Sequence, residues 1–356
     1  MEQSKNYFIG CDAHRNYSVF VLMDERGHTG SANTVPHDRS SYRYYLSTLP
    51  PHSPIALESV GNWYWMIEEM EQAGHQPFLA HPKKAKLMMG LTHKTDKLDA
   101  RGLALLLRNG TLPSVWIPPG ELRDQRELTR MRMAFVRVRT MLKNRIHSAL
   151  AKYGIRIDEV SDLFGLTGRE LLKERSAALP PETQRSVQEH LELLDQLLQQ
   201  IERAEKRIKE RIEVTPEMKL LMTLPGVGPI LAILIVLEIG DIRRFPDAPQ
   251  LASYCGTVPQ IKSSGGKTFY GKVRPDVNRY LKWAFIEAAN SIVLNQMRMS
   301  NRQVVQLYQR IMKRKGHPKA IVAVARHLAE ATYWMLTKKE PYREPIGSRR
   351  ISPTQK

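Results

Sequence analysis

Residues 7–23, YFIGCDAHRNYSVFVLM, carry two short β-branched and aromatic stretches, Tyr7–Cys11 and Ser18–Met23. Such residues fit a pleated, half-buried surface, so both stretches read as strands, with a turn at Asp24-Glu25-Arg26-Gly27. Further on, Pro54–Leu57 reads as a buried strand that stops at Glu58-Ser59-Val60-Gly61. Trp63–Gln72 has helical spacing up to the stop signal Gly74, and Gln76–Ala80 is another short strand. From about Lys83 to Arg108 a helical pattern rich in Leu, Met and Ala closes at Asn109-Gly110. Strands interleaved with helices predict a mixed α/β layer over residues 1–112.

Pro113 to Gly120 holds three prolines and a glycine, and the pattern changes there. Residues 121–214 read as a helical connector. Leu128, Met131, Phe135, Val138, Leu142 and Ala149 fall on one heptad-like seam, and Leu191, Leu194, Leu198, Ile201, Ile208 and Ile212 on a second. The two could form an antiparallel hairpin in one chain or a coiled coil between chains that serves as a dimerisation arm. Residues 215–340 are mainly helical with a Gly-rich loop, and residues 341–356 have the composition of a flexible basic tail. The expected class is therefore α/β plus α.

The chain of 356 residues carries 54 Lys+Arg against 36 Asp+Glu, a formal net charge of +18. Self-repulsion on that scale points to a polyanionic partner, nucleic acid before an anionic membrane surface. Cys11 and Cys255 are too few and too far apart for a disulfide scaffold or a thiolate zinc site. The start MEQSKNYFIG has no apolar signal-peptide core, and the longest apolar run, Ile230–Leu237, is too short to span a bilayer. A soluble intracellular protein without a membrane partner is expected. Between Glu121 and Arg156 ten Lys/Arg stand against three acids, a lopsided run that suits phosphate contact better than a salt-bridged face.

Four acids could carry chemistry. Asp12 and Glu58 end two strands, and adjacent strands lie about 5 Å apart. Asp96 and Asp99, in KTDKLDA, share one face of a helix. Gathered together, four hard oxygen donors suit Mg²⁺ or Mn²⁺, and a pair of such ions serves phosphodiester chemistry. LPGVGP at residues 224–229 opens an apolar helix with a glycine turn, which resembles a helix-hairpin-helix phosphate site. Ser263 and Ser264, in SSGGK, read from composition as an ordinary turn; the alternative is a nucleophilic serine in a Gly-rich loop, whose surrounding cations would stabilise an attacking alkoxide and a pentavalent oxyanion. Trp63, Tyr64 and Trp65 read as core rather than as a base-stacking platform.

Asp12, Glu58, the KTDKLDA pair, LPGVGP and the later ASYCGTVP, SSGGK and NRYLKWAFIEAA segments together resemble the DEDD transposases of insertion sequences, relatives of the Piv DNA invertase. The resemblance runs over nearly the whole chain in the expected order. It implies an RNase H-like (RuvC-like) N-terminal catalytic domain, a coiled-coil connector and a C-terminal transposase domain. It further implies a metal-binding tetrad of Asp12, Glu58, Asp96 and Asp99, and a serine, Ser264 or its neighbour Ser263, that links covalently to DNA. The expected partners are double-stranded target and donor DNA and a structured non-coding bridge RNA as guide. Oligomeric assembly is also expected, a dimer or a synaptic tetramer, in a prokaryotic, nucleoid-associated setting.

Expected phosphate contacts are Lys94, Lys97 and Arg101 beside the paired aspartates, and Arg130, Arg137, Lys143 and Arg145 on the first long helix. Gly226 and Gly228 in the turn, and Lys262, Lys267, Lys272, Arg274 and Arg279 around the serines, complete the set. The absence of a zinc-finger or basic-zipper signature agrees with specificity supplied by base pairing. Two other functions fit the same composition: a RuvC-like junction resolvase, which cleaves by hydrolysis, and a non-enzymatic architectural nucleic-acid binder.

Overall fold

The strands expected near residues 7, 18, 54 and 76 form the middle of one sheet. A computed structural model describes residues 7–59, 61–90 and 95–344, and its contacts divide the chain into two units, 1–120 and 121–356. In the first unit β1 (Tyr7–Ala13), β2 (Tyr17–Asp24) and β3 (Asn33–Pro36) precede α1 (Arg39–Thr48), β4 (Pro54–Glu58) and α2 (Trp63–Gln72). They are followed by β5 (Gln76–Ala80), α3 (Pro82–Met89), α4 (Asp96–Arg108) and β6 (Ser114–Val115). The sheet order is β3-β2-β1-β4-β5-β6; β1 pairs parallel with β4 and β4 with β5, and the remaining pairs are antiparallel.

Alternation along the central strands gives each face its own core. Ile9, Cys11, Ile55 and Leu57 pack with Tyr42 and Leu46 of α1 and Met66, Ile67 and Met70 of α2. Trp63 and Trp65 also pack against this cluster, as core residues do. Behind them, Glu69 of α2 is buried and accepts hydrogen bonds from Arg43 at 2.5 and 3.0 Å and from Arg39. On the opposite face Ala56 and Ala80 meet Leu103 and Leu106 of α4 and Ala85 of α3. Gly10 lies against α4, where a Cβ would stand 1.8 Å from the Ala100 carbonyl oxygen and 2.7 Å from the Ala104 nitrogen.

The helical pattern read from Lys83 to Arg108 is two helices. Gly90 takes a left-handed φ of 60° at the end of α3. Helix α4 then restarts with Thr95 as its cap, whose Oγ1 accepts the Leu98 N–H at 3.3 Å.

The second unit begins with α5 (Gly120–Lys152), α6 (Leu166–Ser176) and α7 (Pro181–Arg211). Helices α5 and α7 run antiparallel within one chain: Leu128 packs in the cluster of Ile208 and Ile212, Arg132 pairs with Glu205 at 2.6 Å, and Ile146 packs in the cluster of Val187. On α7 the buried residues Leu194, Ile201 and Ile208 follow the expected seam. On α5 they do not. Thr129, Met133, Val136, Leu142, Ile146 and Leu150 are buried, whereas Met131 and Val138 are exposed.

The physical reason for that rotation lies in α9. After α8 (Pro216–Leu221), α9 (Pro229–Ile239) is apolar nearly all round and is a core helix, as such helices are in soluble folds. Near its end sits Glu238, fully buried. Arg126 donates to the Leu237 and Glu238 carbonyls at 2.8 and 3.0 Å, and Arg130 donates to the Glu238 carboxylate at 2.7 and 3.2 Å. Asn278 donates to the same carboxylate at 2.8 Å. The arginine face of α5 therefore points inward. A short 3₁₀ turn and α10 (Ala248–Tyr254) lead to a hairpin of β7 (Pro259–Ser264) and β8 (Lys267–Val273). Helices α11 (Arg279–Leu294), α12 (Gln303–Lys315) and α13 (His317–Lys338) complete the largest apolar core.

Two substitutions test these anchors. Gly10→Ala is expected to cost about 3 kcal/mol, because it places a methyl into a backbone oxygen. Glu238→Ala is expected to cost about 3–5 kcal/mol, because it leaves two inward arginines without their counter-charge. Equilibrium denaturation reads both, and losses below about 1 kcal/mol would contradict the respective packing argument.

Candidate active site

Asp12 stands near the end of β1 and is 9% exposed. The parallel register Gly10↔Ala56 and Cys11↔Leu57 sets Glu58 beside Asp12 at the next step, on the sheet face that carries α4. Asp96 and Asp99 occupy the first turn of α4, where the helix dipole favours carboxylates. Three ligand atoms, one each from Asp12, His14 and Asp96, lie within 4.8 Å of one another. His14 Nε2 is 3.2 Å from Asp12 Oδ2 and 3.2 Å from Asp96 Oδ2. The Tyr17 hydroxyl donates to Asp96 Oδ2 at 3.0 Å, and the His14 ring stacks on Tyr17 with centroids 4.7 Å apart.

Burial raises the Asp12 carboxyl above the usual range. The nearby Asp99 and Asp96 carboxylates raise it further, and His14 partly offsets them. Asp12, Asp96 and Asp99 are therefore brought together, Glu58 is placed only by register on the adjacent strand, and His14 joins the group unannounced. Its signal was present: two residues beyond a strand-end aspartate, a side chain returns to the same face.

Ser263 and Ser264 lie in a strand rather than in an irregular loop. They end β7, opposite Thr268 and Lys267, and Gly265 and Gly266 between the strands both take positive φ, 54° and 73°. That is the two-residue turn whose twist suits a hairpin, and glycine meets its dihedrals without strain. Both serines and Lys267 are exposed.

The cations divide into two groups. Arg130 is taken up by Glu238 and Glu127 and lies 4.4 Å over the Tyr280 ring, so its charge is spent inside the second unit. Lys143 sits 4.5 Å over Phe164, and burial lowers its affinity for a proton. Arg274 pairs with Asp276 at 2.5 Å, and Arg279 lies 5.7 Å over Tyr280 with its chain exposed. Lys97 and Arg101 on α4 are exposed, as are Arg137 and Arg145 on α5, which line a groove with Trp283. Lys94 lies outside the described residues, as do 345–356 of the expected tail and the Lys262 side chain.

A larger groove, ≈ 1310 Å³, was not foreseen from sequence. Lys272 of β8, Lys282 of α11, Arg310 and Arg314 of α12 and Lys319 and Arg326 of α13 line it above an apolar floor, with no acid among the described lining residues. Gly226 has a packing role: at φ 78° it abuts α11, where a Cβ would be 2.2 Å from the Ala288 oxygen. Gly228 caps the exposed start of α9. No helix among the described residues is long and apolar enough to cross a membrane.

Two family models match the chain. A DEDD transposase model of IS110 type covers residues 9–155, and a model described as transposase IS116/IS110/IS902 family covers residues 218–306. A probable family 20 transposase of Pseudomonas aeruginosa is 25% identical, over 86% of this chain and 90% of its own. The transposase for insertion sequence element IS1328 of Yersinia enterocolitica is 23% identical, over 92% and 96%. The transposase for insertion sequence element IS1111A of Coxiella burnetii is 26% identical, over 94% and 91%.

The raised Asp12 value has a measurable consequence. The folded state favours the protonated carboxyl, so ionisation costs stability once the pH rises through the raised value, and nothing below the ordinary range. Asp12→Asn is expected to raise the thermal midpoint of the metal-free protein at about pH 7, with the gain vanishing toward about pH 3. An unchanged midpoint at neutral pH would contradict the burial argument.

Proposed function

Because the chain belongs to the IS116/IS110/IS902 family of insertion-sequence transposases, we propose that it is a metal-dependent DNA transposase that cuts and rejoins strands under the direction of a structured guide RNA. The observation that carries the reading is the gathering of Asp12, Asp96 and Asp99 around one end of β1, with Glu58 alongside. The order β3-β2-β1-β4-β5 with α4 laid on β1 supports an RNase H-like reading of the first unit.

The donor set fits a divalent cation, because hard carboxylate oxygens converge there and His14 Nε2 lies within 3.2 Å of two of them. Asp12, Glu58, Asp96 and Asp99 would hold Mg²⁺ or Mn²⁺, which supplies Lewis-acid stabilisation of charge developing on a phosphodiester. Tyr17 steadies Asp96 for that task through its hydroxyl.

Ser264, directly before the glycine turn, is the proposed nucleophile, with Ser263 as its neighbour in register. Oγ attacks the phosphorus, a Ser–O–P ester forms, and the bond to the leaving sugar oxygen breaks as that oxygen takes up a proton. In rejoining, a sugar hydroxyl attacks the phosphoserine, the P–Oγ bond breaks and Oγ regains a proton. One ester replaces another at each step, so no outside energy source is needed. Lys267 opposite Ser264, and the cationic groove along β8, would hold the backbone and screen the oxyanion.

Guidance by RNA is supported by the net charge of +18 and by a groove lined with Lys and Arg side chains suited to phosphate. Chemistry at two DNA partners requires several active centres, hence a homo-oligomer of at least two chains.

Protein expressed with its native flanking DNA and washed at high salt should retain one discrete structured RNA; a smear of cellular RNA would count against guidance. Incubated with labelled DNA and run on a denaturing gel, the wild type should give a protein–DNA adduct. Ser264→Ala should abolish that adduct and Ser263→Ala should retain it, whereas Asp12→Ala should stop cleavage while leaving DNA binding within about threefold. Cleavage with no adduct in any variant would transfer the reading to a hydrolytic, resolvase-like nuclease.

A further inference from the structure

The group that the four-carboxylate reading does not use is His14. We infer that His14 Nε2 is itself a ligand of the cation held by Asp12 and Asp96, which makes this a mixed nitrogen–oxygen site that prefers Mn²⁺ to Mg²⁺. The inference rests on the metal-site reading above and adds to it the identity of the ion.

Three observations carry it. First, Nε2 is 3.2 Å from an oxygen of each aspartate. Donors bound at about 2.1–2.2 Å to one octahedral ion stand about 3.0–3.1 Å apart when adjacent, so Nε2 already has the spacing of an adjacent ligand to each aspartate. Second, the Nε2 atom is shielded from solvent and lacks the alignment of a good hydrogen bond to either carboxylate. The nitrogen is thus shared between the two carboxylates rather than committed to one. Third, the ring is held from behind: it stacks on Tyr17, whose hydroxyl also holds Asp96, and the His14 carbonyl accepts from Asn62 Nδ2 at 3.2 Å. Supporting contacts of this kind orient metal ligands. Imidazole is a good donor for first-row transition ions, whereas Mg²⁺ keeps to oxygen and water, so one histidine is enough to shift the preference.

The test uses full-length wild type, His14→Ala and the shape-keeping His14→Gln, with melting curves to establish that the variants fold. Mn²⁺ and Mg²⁺ binding are measured by titration of the free Mn²⁺ spin-resonance signal and by Mg²⁺ competition. Electron spin-echo spectra of bound Mn²⁺ report directly bonded nitrogen. Wild type should bind Mn²⁺ more tightly than Mg²⁺ and show nitrogen modulation. The variants should lose that modulation and at least about tenfold in Mn²⁺ affinity, with Mg²⁺ affinity much less affected. Equal losses for the two ions, or tighter binding of both, would mean that His14 acts only as a counter-charge and would overturn the inference. Mg²⁺ binding with no nitrogen signal in wild type overturns it while leaving the acidic site intact. Failure of the wild type to bind either ion removes both readings. The wild-type spectrum alone decides the matter if a variant does not fold.

Discussion

A carbonyl oxygen of α4 occupies the space where any residue but glycine at position 10 would carry its Cβ. The first unit depends on that contact. It lets α4 lie directly on β1, where the small buried residues Ala100 and Ala104 face it. The sheet contributes one carboxylate near the end of β1 and, in parallel register, another at the end of β4. The helix contributes two more from its first turn, because Thr95 starts it at residue 96 rather than earlier. Strand, strand and helix thus converge through backbone packing, and the acids are carried into proximity against their own repulsion. Burial and like charge both act on Asp12, and His14 is the nearby group that offsets them.

The second unit handles charge in the opposite way. Its arginine-rich first helix turns part of that charge inward, to Glu238 and to the carbonyls at the end of α9, and these contacts tie three helices together. A buried carboxylate with this many donors is costly to strip and holds its geometry tightly. The cations that remain outward lie farther along α5 and around the groove between β8, α12 and α13. Net charge therefore overstates the number of groups available to a polyanion.

Much of the first unit was legible because its central strands are buried on both faces and so read as short apolar runs, and because Asp96 and Asp99 share a helical face whatever the helix length. The break between α3 and α4 was hidden by a continuous Leu, Met and Ala composition, with only Gly90 and Thr95 to mark it. The β7–β8 hairpin was read as a loop for a different reason. Its Ile261 and Phe269 are exposed, at 59% and 61%, and Lys, Ser and Gly fill the positions where alternation would otherwise show. The seam on α5 was misplaced because heptad counting assumes that apolar residues choose the buried face. Here Arg126 and Arg130 choose it, through a glutamate more than a hundred residues away in sequence. His14 escaped notice because a histidine followed by Arg15 and Asn16 looks like ordinary turn chemistry.

The hairpin has a further consequence for the doubled serine. Along an extended strand, consecutive side chains leave opposite faces of the ribbon. Ser263 and Ser264, paired across to Thr268 and Lys267, are therefore not two copies of one hydroxyl at slightly different reach. They address two different surroundings. Inserting or deleting a single residue in this ribbon would exchange them, turning each hydroxyl to the other face. The short glycine turn, which tolerates no slack, is what keeps that choice from being made at random.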